Sequence, residues 1–368
     1  MTIVMNTIGR LYTLTSFGES HGPGVGGVVD GCPAGLSLSV ERIQEELDRR
    51  RPGQSEWTTA RREEDRVEIL SGVFEGKTTG TPIGFWVRNN GQQSGDYEKL
   101  KDLYRPSHAD YAWQGKYHHR DYRGGGRASA REHVARVVAG AIARQALEPL
   151  GISIHAYVSQ VGNVSLETEA ARVNLEAVEE NPVRCPDMRV ARLMMDEIER
   201  ARSARDSVGG VVSCVAKGVP MGLGEPVFDR FQARLAYYMM GINAAKGFEY
   251  GEGFHAAGMR GSEHNDEMVV DEEGRSRFKT NHAGGVLGGV TTGEDIYFKV
   301  AFKPVPTIGK EQRTVDKAGR EVVFAASGRH DACVVPRAVP VVEAMTAMLL
   351  LDALLESKRW EICFSNIK

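Results

Sequence analysis

The segment from Arg120 to Leu150 reads RDYRGGGRASAREHVARVVAGAIARQALEPL. Its second half carries apolar residues at helical spacing. These residues are Val134, Val137, Val138, Ala141 and Ile142. Since this spacing puts them on one face of a helix, the sequence predicts an amphipathic helix from about Ser129 to Leu150.

The rest of the chain alternates between helix-like and strand-like segments. Ser39 is a plausible N-cap, and the helix after it ends in three arginines before Pro52 and Gly53. Further helices are predicted over 187–205, 229–240 and 336–357. Strands are predicted over 25–29, 67–73, 83–87, 152–161, 209–215 and 296–302, and loops over 89–123 and 307–335. These elements together predict an α/β protein.

Composition limits the class of protein. The chain has 368 residues, of which 41% are hydrophobic and 26% charged, as in an ordinary globular protein. Disordered chains, coiled coils and collagen-like fibres are excluded, and the length allows two or three domains or one large α/β domain. The net charge of −3 disfavours a nucleic-acid partner, whose binders are more often basic. The 42 glycines indicate close backbone approach or positive φ at many positions.

The five cysteines are odd in number and widely spaced, with no CxxC pair. This arrangement favours a reducing compartment and disfavours a zinc site. Residues 1–10 lack the basic and apolar regions of a signal peptide, and the most apolar segment, 344–355, contains Asp352. We therefore expect a cytoplasmic protein without a membrane partner or a bound metal.

Three glycines precede the helix of the quoted segment, and arginines surround them. Glycines let the backbone approach a ligand, and a helix N-terminus presents free N–H groups to an anion. The surrounding residues are Arg120, Arg123, Arg127 and Arg131. A solvated helix start is the alternative, but the density of guanidinium groups favours an anion site.

Further clustered arginines indicate a small ligand with several negative charges, because guanidinium groups match phosphate and carboxylate geometry. The clustered residues are Arg49, Arg50, Arg51, Arg61, Arg62 and Arg105. A solvated basic face is the alternative, and for Arg61 and Arg62 alone it is the preferred interpretation.

Two other glycine-rich stretches carry weaker signals. The GxGxxG match from Gly22 to Gly27 is followed by strand-like residues, so a dinucleotide site is rejected in favour of a glycine-rich strand or turn. The run 283–293 could form a flat floor for a planar ring, or it could serve close strand packing. The residues alone do not separate these two alternatives.

Two histidines in loops near the arginine clusters, His21 and His108, are candidates for acid–base chemistry. His118 and His119 are interpreted as surface residues. Asp331 lies between cations and a helix start, so it is a candidate base with a shifted pKa. The segment 303–307, KPVPT, follows a strand and predicts a rigid turn.

Several motifs, taken together and in order along the chain, resemble the chorismate synthase family. They are FGESHG (17–22), DRRRPG (48–53), LSGVFEGKTTGTP (70–82), RDYRGGGR (120–127), GSEHND (261–266) and GRHD (328–331). Long motifs in one order are far more specific than a single GxGxxG match. The resemblance implies a single domain over 1–368 with a β-α-β sandwich fold.

The resemblance also implies a reaction. Members of this family remove phosphate from 5-enolpyruvylshikimate 3-phosphate by anti 1,4-elimination and so form chorismate, in the last step of the shikimate pathway of aromatic amino-acid biosynthesis. The implied cofactor is reduced FMN, which is required without net redox change. The implied assembly is a homotetramer.

By resemblance, the expected catalytic residues are His21, His108 and Asp331. His21 would donate a proton beside the leaving phosphate, His108 would support the reduced flavin anion, and Asp331 would help the flavin to act as a base. The residues expected to bind substrate anions are Arg50, Arg105, Arg131 and Arg337. The residues expected to contact the flavin are Arg127, Ala128, Ser129, Asn243, Ala244, Gly288, Lys303, Pro304, Val305, Pro306, Thr307 and Arg329.

Four positions depart from the family pattern. Ser107 replaces a usual glycine, Ala128 a frequent serine, Ala332 a frequent proline and Glu56 a frequent arginine. Because Glu56 would repel a nucleotide phosphate, we expect no use of NADPH and an external flavin reductase as electron source. The alternatives are an RNA-binding module, disfavoured by the net charge, and a flavin reductase, which would release no phosphate.

Overall fold

Two five-stranded antiparallel sheets enclose helices in the computed structural model, which describes residues 5–53, 64–89, 100–326 and 331–364, with side chains as far as residue 357. The helices are α1 (Val40–Arg50), α2 (Asp110–Tyr117), α3 (His133–Leu147), α4 (Met188–Ser203), α5 (Phe231–Met240), α6 (Gly261–His264) and α7 (Val335–Phe364). The strands are β1 (Thr7–Ile8), β2 (Thr13–Gly18), β3 (Gly24–Asp30), β4 (Val67–Ile69), β5 (Val73–Phe74), β6 (Lys77–Thr78), β7 (Ile83–Arg88), β8 (Ser153–Val161), β9 (Val164–Ser165), β10 (Gly210–Lys217), β11 (Ala245–Tyr250), β12 (Met268–Val270), β13 (Ser276–Phe278), β14 (Val286–Leu287), β15 (Val290–Thr291), β16 (Ile296–Phe302), β17 (Gln312–Val315) and β18 (Glu321–Phe324).

The first sheet has the strand order β1-β2-β3-β7-β4, and the second has the order β11-β16-β10-β8-β9. The other strands form two-stranded hairpins. Helix α3 packs on β2 and β3 of the first sheet, whereas α7 packs on β8 and β10 of the second. In β16, Ile296, Phe298, Val300 and Phe302 are buried on one face, as the alternation predicts.

Helices α3 and α7 touch at a glycine in the middle of the sandwich. A Cβ atom added to Gly140 would lie 2.3 Å from both the Cα and the Cβ of Ala344. Small residues at both positions therefore let the two backbones approach closely. The residues at the N-terminal ends of both helices line the same cavity, described below.

Asp352 joins α7 to the first residues of the chain. Its buried carboxylate accepts hydrogen bonds from the backbone N–H groups of Arg10, Leu11 and Tyr12, and from Arg234 Nη2 at 2.7 Å. A buried carboxylate needs such partners because its desolvation is costly. The helical segment Val335–Ser357 is long and apolar enough to cross a membrane, but it is mostly buried inside the protein, as a core helix is.

Most of the glycine-rich stretch 22–27 lies in a strand, which confirms the interpretation of this stretch as a strand or turn. Gly24 and Gly26 lie in β3, where added Cβ atoms would come within 3 Å of the rings of Trp86 and Phe17. In the run 283–293, an added Cβ at Gly284 would lie 2.4 Å from the backbone nitrogen of Gly251, which favours the alternative of close packing. His118 and His119 are exposed, also as predicted.

Several predicted boundaries are wrong. The helix predicted from Ser129 begins at His133, because the extended backbone of Ser129 separates two 3₁₀ turns, Gly126–Ala128 and Ala130–Glu132. The strand predicted over 67–73 is split into β4 and β5 by a turn with Gly72 at φ 79°. The predicted loop 89–123 contains α2, and the predicted loop 307–335 contains the β17–β18 hairpin. Strands β2 and β11 were not predicted.

We predict that Gly140→Ala lowers the free energy of unfolding by about 1–3 kcal/mol, since the added methyl group forces α3 and α7 apart. Urea denaturation followed by circular dichroism measures this change. The matched control is Gly115→Ala in the exposed helix α2, where an added Cβ meets nothing within 4 Å. That variant should gain up to about 1 kcal/mol from helix propensity. Equal stability of Gly140→Ala and the wild type would contradict the role of this contact.

Candidate active site

A cavity of about 560 Å³ lies beside the N-terminal ends of α3 and α7 and the C-terminal end of α1. It brings together most of the site residues predicted from the sequence. The predicted residues that line it are His21, Arg50, Arg105, His108, Ala128, Ser129, Arg131, Asn243, Ala244, Lys303, Val305, Pro306, Thr307, Asp331 and Arg337. A second cavity, of about 420 Å³, lies against the second sheet and contains none of them.

The cavity carries an excess of positive charge. Six cationic side chains and three aspartates line it, and they come from several different elements of the fold. The cations are Arg50, Arg105, Arg120, Arg131, Lys303 and Arg337; the aspartates are Asp110, Asp121 and Asp331. Such a lining attracts a ligand with several negative charges.

Arg50 and Arg131 share a single carboxylate. Arg50 Nη2 donates to Asp65 Oδ2 at 2.7 Å, and Arg131 Nη1 donates to Asp65 Oδ1. All three side chains are buried, and that of Asp65 is 0% exposed. Burial acts to raise the pKa of Asp65, but the two guanidinium charges outweigh it, so the pKa lies below its usual value.

Arg105 and Arg120 surround a second buried carboxylate. Asp110, the first residue of α2, accepts from Arg105 Nε at 2.7 Å and from Nη2 at 2.8 Å, which is a bidentate pair. Arg120 Nη1 lies 3.2 Å from the same carboxylate. Burial opposes ionisation of Asp110, but the hydrogen bond and charge of Arg105 prevail and lower its pKa.

Asp331 and Arg337 form a third pair, at the N-terminal end of α7. Arg337 Nη1 donates to Asp331 Oδ2, while its Nε donates to the backbone oxygen of Arg50 at 3.2 Å. The predicted base therefore stands in direct contact with a predicted substrate-binding arginine.

His108 is held at both ring nitrogens. Its Nδ1 lies 2.9 Å from the backbone oxygen of Pro106, and its Nε2 lies 2.9 Å from Thr307 Oγ1. Because the carbonyl can only accept, Nδ1 carries the proton and Nε2 accepts from the hydroxyl. Burial, reinforced by the positive charge of Arg105, lowers the pKa of His108 to about 4. The imidazole is therefore neutral at neutral pH.

His21 is buried against the glycine loop. An added Cβ at Gly124 would lie 2.1 Å from the Cδ2 of His21, and Gly124, Gly125 and Gly126 all have positive φ. The missing side chain at Gly124 thus lets the loop pack directly against the imidazole ring, and the positive φ at all three positions suits glycine.

Ser107 and Ala244 also have positive φ, 57° and 69°, a region that favours glycine. This backbone conformation explains why glycine suits position 107. Lys303 donates to the backbone oxygen of Ser107 at 2.9 Å, which ties the end of β16 to the loop that carries His108.

Some predicted residues lie elsewhere. Arg127 is absent from the cavity lining and donates to Ser16 Oγ at 2.9 Å; Pro304 is also absent from the lining. Gly288 lies in the turn between β14 and β15, outside the cavity. Arg329, with Glu56, Arg61 and Arg62, lies outside the described residues.

Several residues at the site were not predicted from the sequence, among them Asp65, Asp110, Trp113 and His133. Trp113, Asp110 and His133 line the cavity, and His133 Nε2 lies 3.1 Å from Asn243 Oδ1. Burial, together with the charges of Arg136 and Arg50, lowers the pKa of His133 well below its usual value. Only Asp110 had a signal in the sequence, since it follows Arg105 and His108 in the same loop.

The fold and the cavity together define an enzyme that acts on a small, multiply anionic substrate. The family model described as chorismate synthase matches residues 12–355. The chorismate synthase of Parabacteroides distasonis is 57% identical, covering 97% of this chain and 99% of that protein. The chorismate synthase of Porphyromonas gingivalis is 54% identical, covering 99% of both.

A solved structure, "Crystal Structure of Chorismate Synthase", superposes with a TM-score of 0.77 at 34% identity, covering 95% of this chain and 93% of that chain. The chain therefore belongs to the chorismate synthase family, whose members are carbon–oxygen lyases that act on phosphates. The expected family and the expected sandwich fold are confirmed. A single domain over 1–368 stays a prediction.

We predict that stability falls as the pH drops from about 6.5 towards about 4. His108 has a pKa of about 4 in the folded chain and about 6.5 when unfolded, so the unfolded chain binds more protons in this window. Urea denaturation at pH 7.5 and pH 5 measures the change, of which His108 contributes up to about 2 kcal/mol. The decline should be smaller in His108→Asn.

The matched control is His118→Asn, which removes an exposed histidine. It should keep the decline of the wild type. An equal decline in His108→Asn and the wild type would contradict the assignment of a neutral, buried His108.

Proposed function

We propose that this chain converts 5-enolpyruvylshikimate 3-phosphate into chorismate and phosphate by anti 1,4-elimination. One observation carries the proposal: a single cavity in a chain of this family gathers five guanidinium groups and three histidines, two of which are the predicted His21 and His108. The substrate has one phosphate and two carboxylates, and guanidinium groups bind both kinds of anion. Arg50, Arg105, Arg131 and Arg337 are the proposed substrate-binding residues.

The residues of the cavity also suit a flavin. Its volume of about 560 Å³ is in the range of cofactor sites. Ala244, Val305 and Pro306 supply apolar surface for a planar ring, and Lys303 supplies a cation for a phosphate group. Reduced FMN, when bound, would supply electron density for loss of phosphate without net redox change.

The residues proposed to hold the flavin are Arg127, Ala128, Ser129, Asn243, Ala244, Gly288, Lys303, Pro304, Val305, Pro306, Thr307 and Arg329. Of these residues, Arg127, Gly288 and Pro304 do not line the cavity.

The reaction breaks the carbon–oxygen bond to phosphate and removes a proton from the substrate ring. We assign the proton donor at the leaving phosphate to His21, which the glycine loop holds in place. Asp331 would assist removal of the ring proton, with Arg337 fixing its carboxylate. His108 would take up a proton beside a reduced, anionic ligand, because a negative charge raises the pKa of a nearby imidazole.

The assembly and the cellular context are further proposals. We propose a homotetramer in the cytoplasm that receives electrons from an external flavin reductase and has no nucleic-acid partner. Sedimentation equilibrium of the purified chain tests the assembly.

The decisive experiment measures phosphate release under anaerobic conditions. The purified chain, photoreduced FMN and 5-enolpyruvylshikimate 3-phosphate should yield chorismate and phosphate in equal amounts. Omission of FMN should abolish both products. No phosphate release with reduced FMN present would refute the proposed function.

We predict that His108→Ala lowers turnover by about 10²–10⁴-fold, the usual effect of removing a positioned acid–base group. Asp331→Asn should lose activity similarly, because it keeps the shape of the side chain but removes its charge. The anaerobic assay measures both variants, and His118→Ala, at an exposed position, should retain full activity. Near-normal turnover of His108→Ala would remove His108 from the mechanism.

We predict that the chain does not form chorismate with NADPH as the sole reductant. At Glu56 a nucleotide phosphate would meet a negative charge, and like charges about 4 Å apart cost about 1 kcal/mol even in water. The assay is aerobic and contains catalytic FMN, substrate and NADPH, with no added reductase. Sustained chorismate formation would contradict the prediction, whereas restored turnover on adding a flavin reductase would support it.

A further inference from the structure

Asp65 lies behind the two arginines that it pairs with. Arg50 and Arg131 line the cavity, whereas Asp65 is not part of the lining, and its side chain is 0% exposed. One carboxylate oxygen accepts from each guanidinium group. Asp65 therefore contacts both arginines without facing the ligand.

The backbone holds Asp65 at this position. Its φ of 46° places it in the left-handed region, which aspartate tolerates better than most residues. Gln44 of α1 holds the segment on both sides of Asp65. Its Nε2 donates to the backbone oxygen of Asp65 at 3.3 Å, and its Oε1 accepts from the backbone N–H of Val67 at 3.1 Å. The carboxylate thus has a fixed place relative to α1 and β4.

The two arginines reach this carboxylate from different elements. Arg50 is the last residue of α1, and Arg131 lies in the 3₁₀ turn before α3. Two buried guanidinium groups repel each other, and arginine cannot lose its proton to relieve the repulsion. A shared carboxylate offsets that repulsion and also sets the directions of both side chains.

We propose that Asp65 is a positioning residue that fixes Arg50 and Arg131 for the anionic groups of the substrate. This inference rests on the proposed function, because it assigns the ligand of the two arginines to 5-enolpyruvylshikimate 3-phosphate. Asp65 acts through the arginines and does not touch the substrate.

The opposite expectation is that Asp65 only tunes the net charge of the cavity. Removal of one negative charge would then strengthen the binding of a multiply anionic substrate. A positioning role predicts the reverse, since the two arginines lose the carboxylate that they share and that sets their relative directions. The sign of the change in affinity separates the two explanations.

The test uses Asp65→Asn, which keeps the shape of the side chain and removes its charge. Isothermal titration calorimetry with substrate and oxidised FMN measures binding without turnover. We expect Asp65→Asn to weaken substrate binding by about 10–100-fold, the loss seen when a partner that orients a metal-binding side chain is removed. In the anaerobic assay, KM should rise by a similar factor while kcat changes much less, because binding of the ground state and transition state is weakened alike.

The matched control is Glu68→Gln. Glu68 lies three residues after Asp65, and its exposed carboxylate pairs with Arg88 at 2.9 Å. This variant should bind substrate like the wild type. A second variant, Gln44→Met, keeps every charge and removes the hydrogen bonds of Gln44 to the backbone of Glu64, Asp65 and Val67 and to the carboxylate of Asp48. It should also weaken binding, and it decides the question if Asp65→Asn does not fold.

Unchanged or tighter binding by folded Asp65→Asn would overturn the inference, and so would unchanged binding by Gln44→Met if Asp65→Asn does not fold. If the wild type itself does not bind the substrate, the proposed function fails instead. The same titrations with inorganic pyrophosphate, a small multiply charged anion, then test the positioning role of Asp65 independently of the proposed substrate. Weaker binding of pyrophosphate by the variant would support that role, and equal or tighter binding would contradict it.

Discussion

The close contact between Gly140 of α3 and Ala344 of α7 is the constraint on which the rest of the structure depends. It lets two helices share the narrow space between two sheets, with α3 facing the first sheet and α7 the second. Because both helices start at the cavity, this packing also decides where Arg131 and Arg337 stand relative to each other. Interior packing thus determines the geometry of the site.

Charge at the site follows a single rule: a carboxylate accompanies each cluster of guanidinium groups. Asp65 joins Arg50 and Arg131, and Asp110 stands between Arg105 and Arg120. Without such partners, several buried arginines would destabilise the fold. With them, the cavity keeps a positive excess that attracts an anion and remains organised before the anion binds.

Local patterns in the sequence predicted much of this architecture, because a helix stripe or a glycine next to arginines is visible within a few residues. The stripe from Val134 to Ile142 became α3, and the arginines beside the glycine loop line the cavity. Contacts between distant residues were not predictable in this way. Asp65 and Arg131 are 66 positions apart, and nothing near Asp65 indicates its partner. Helix α2 was missed because Asp110 is its only buried residue, so no apolar stripe marks it.

The bond between Asp352 and the backbone of residues 10–12 has a consequence for how the chain is made. The donors are synthesised about 340 residues before their acceptor. The central helix α7, which packs against α1, α3 and α5, is also synthesised after all of them. The apolar faces of α1, α3 and α5 that pack on α7 therefore stay exposed until α7 has been synthesised. The packing of α1, α3 and α5 is thus completed only after α7 has been synthesised, and a chaperone that shields the nascent chain has until then to act.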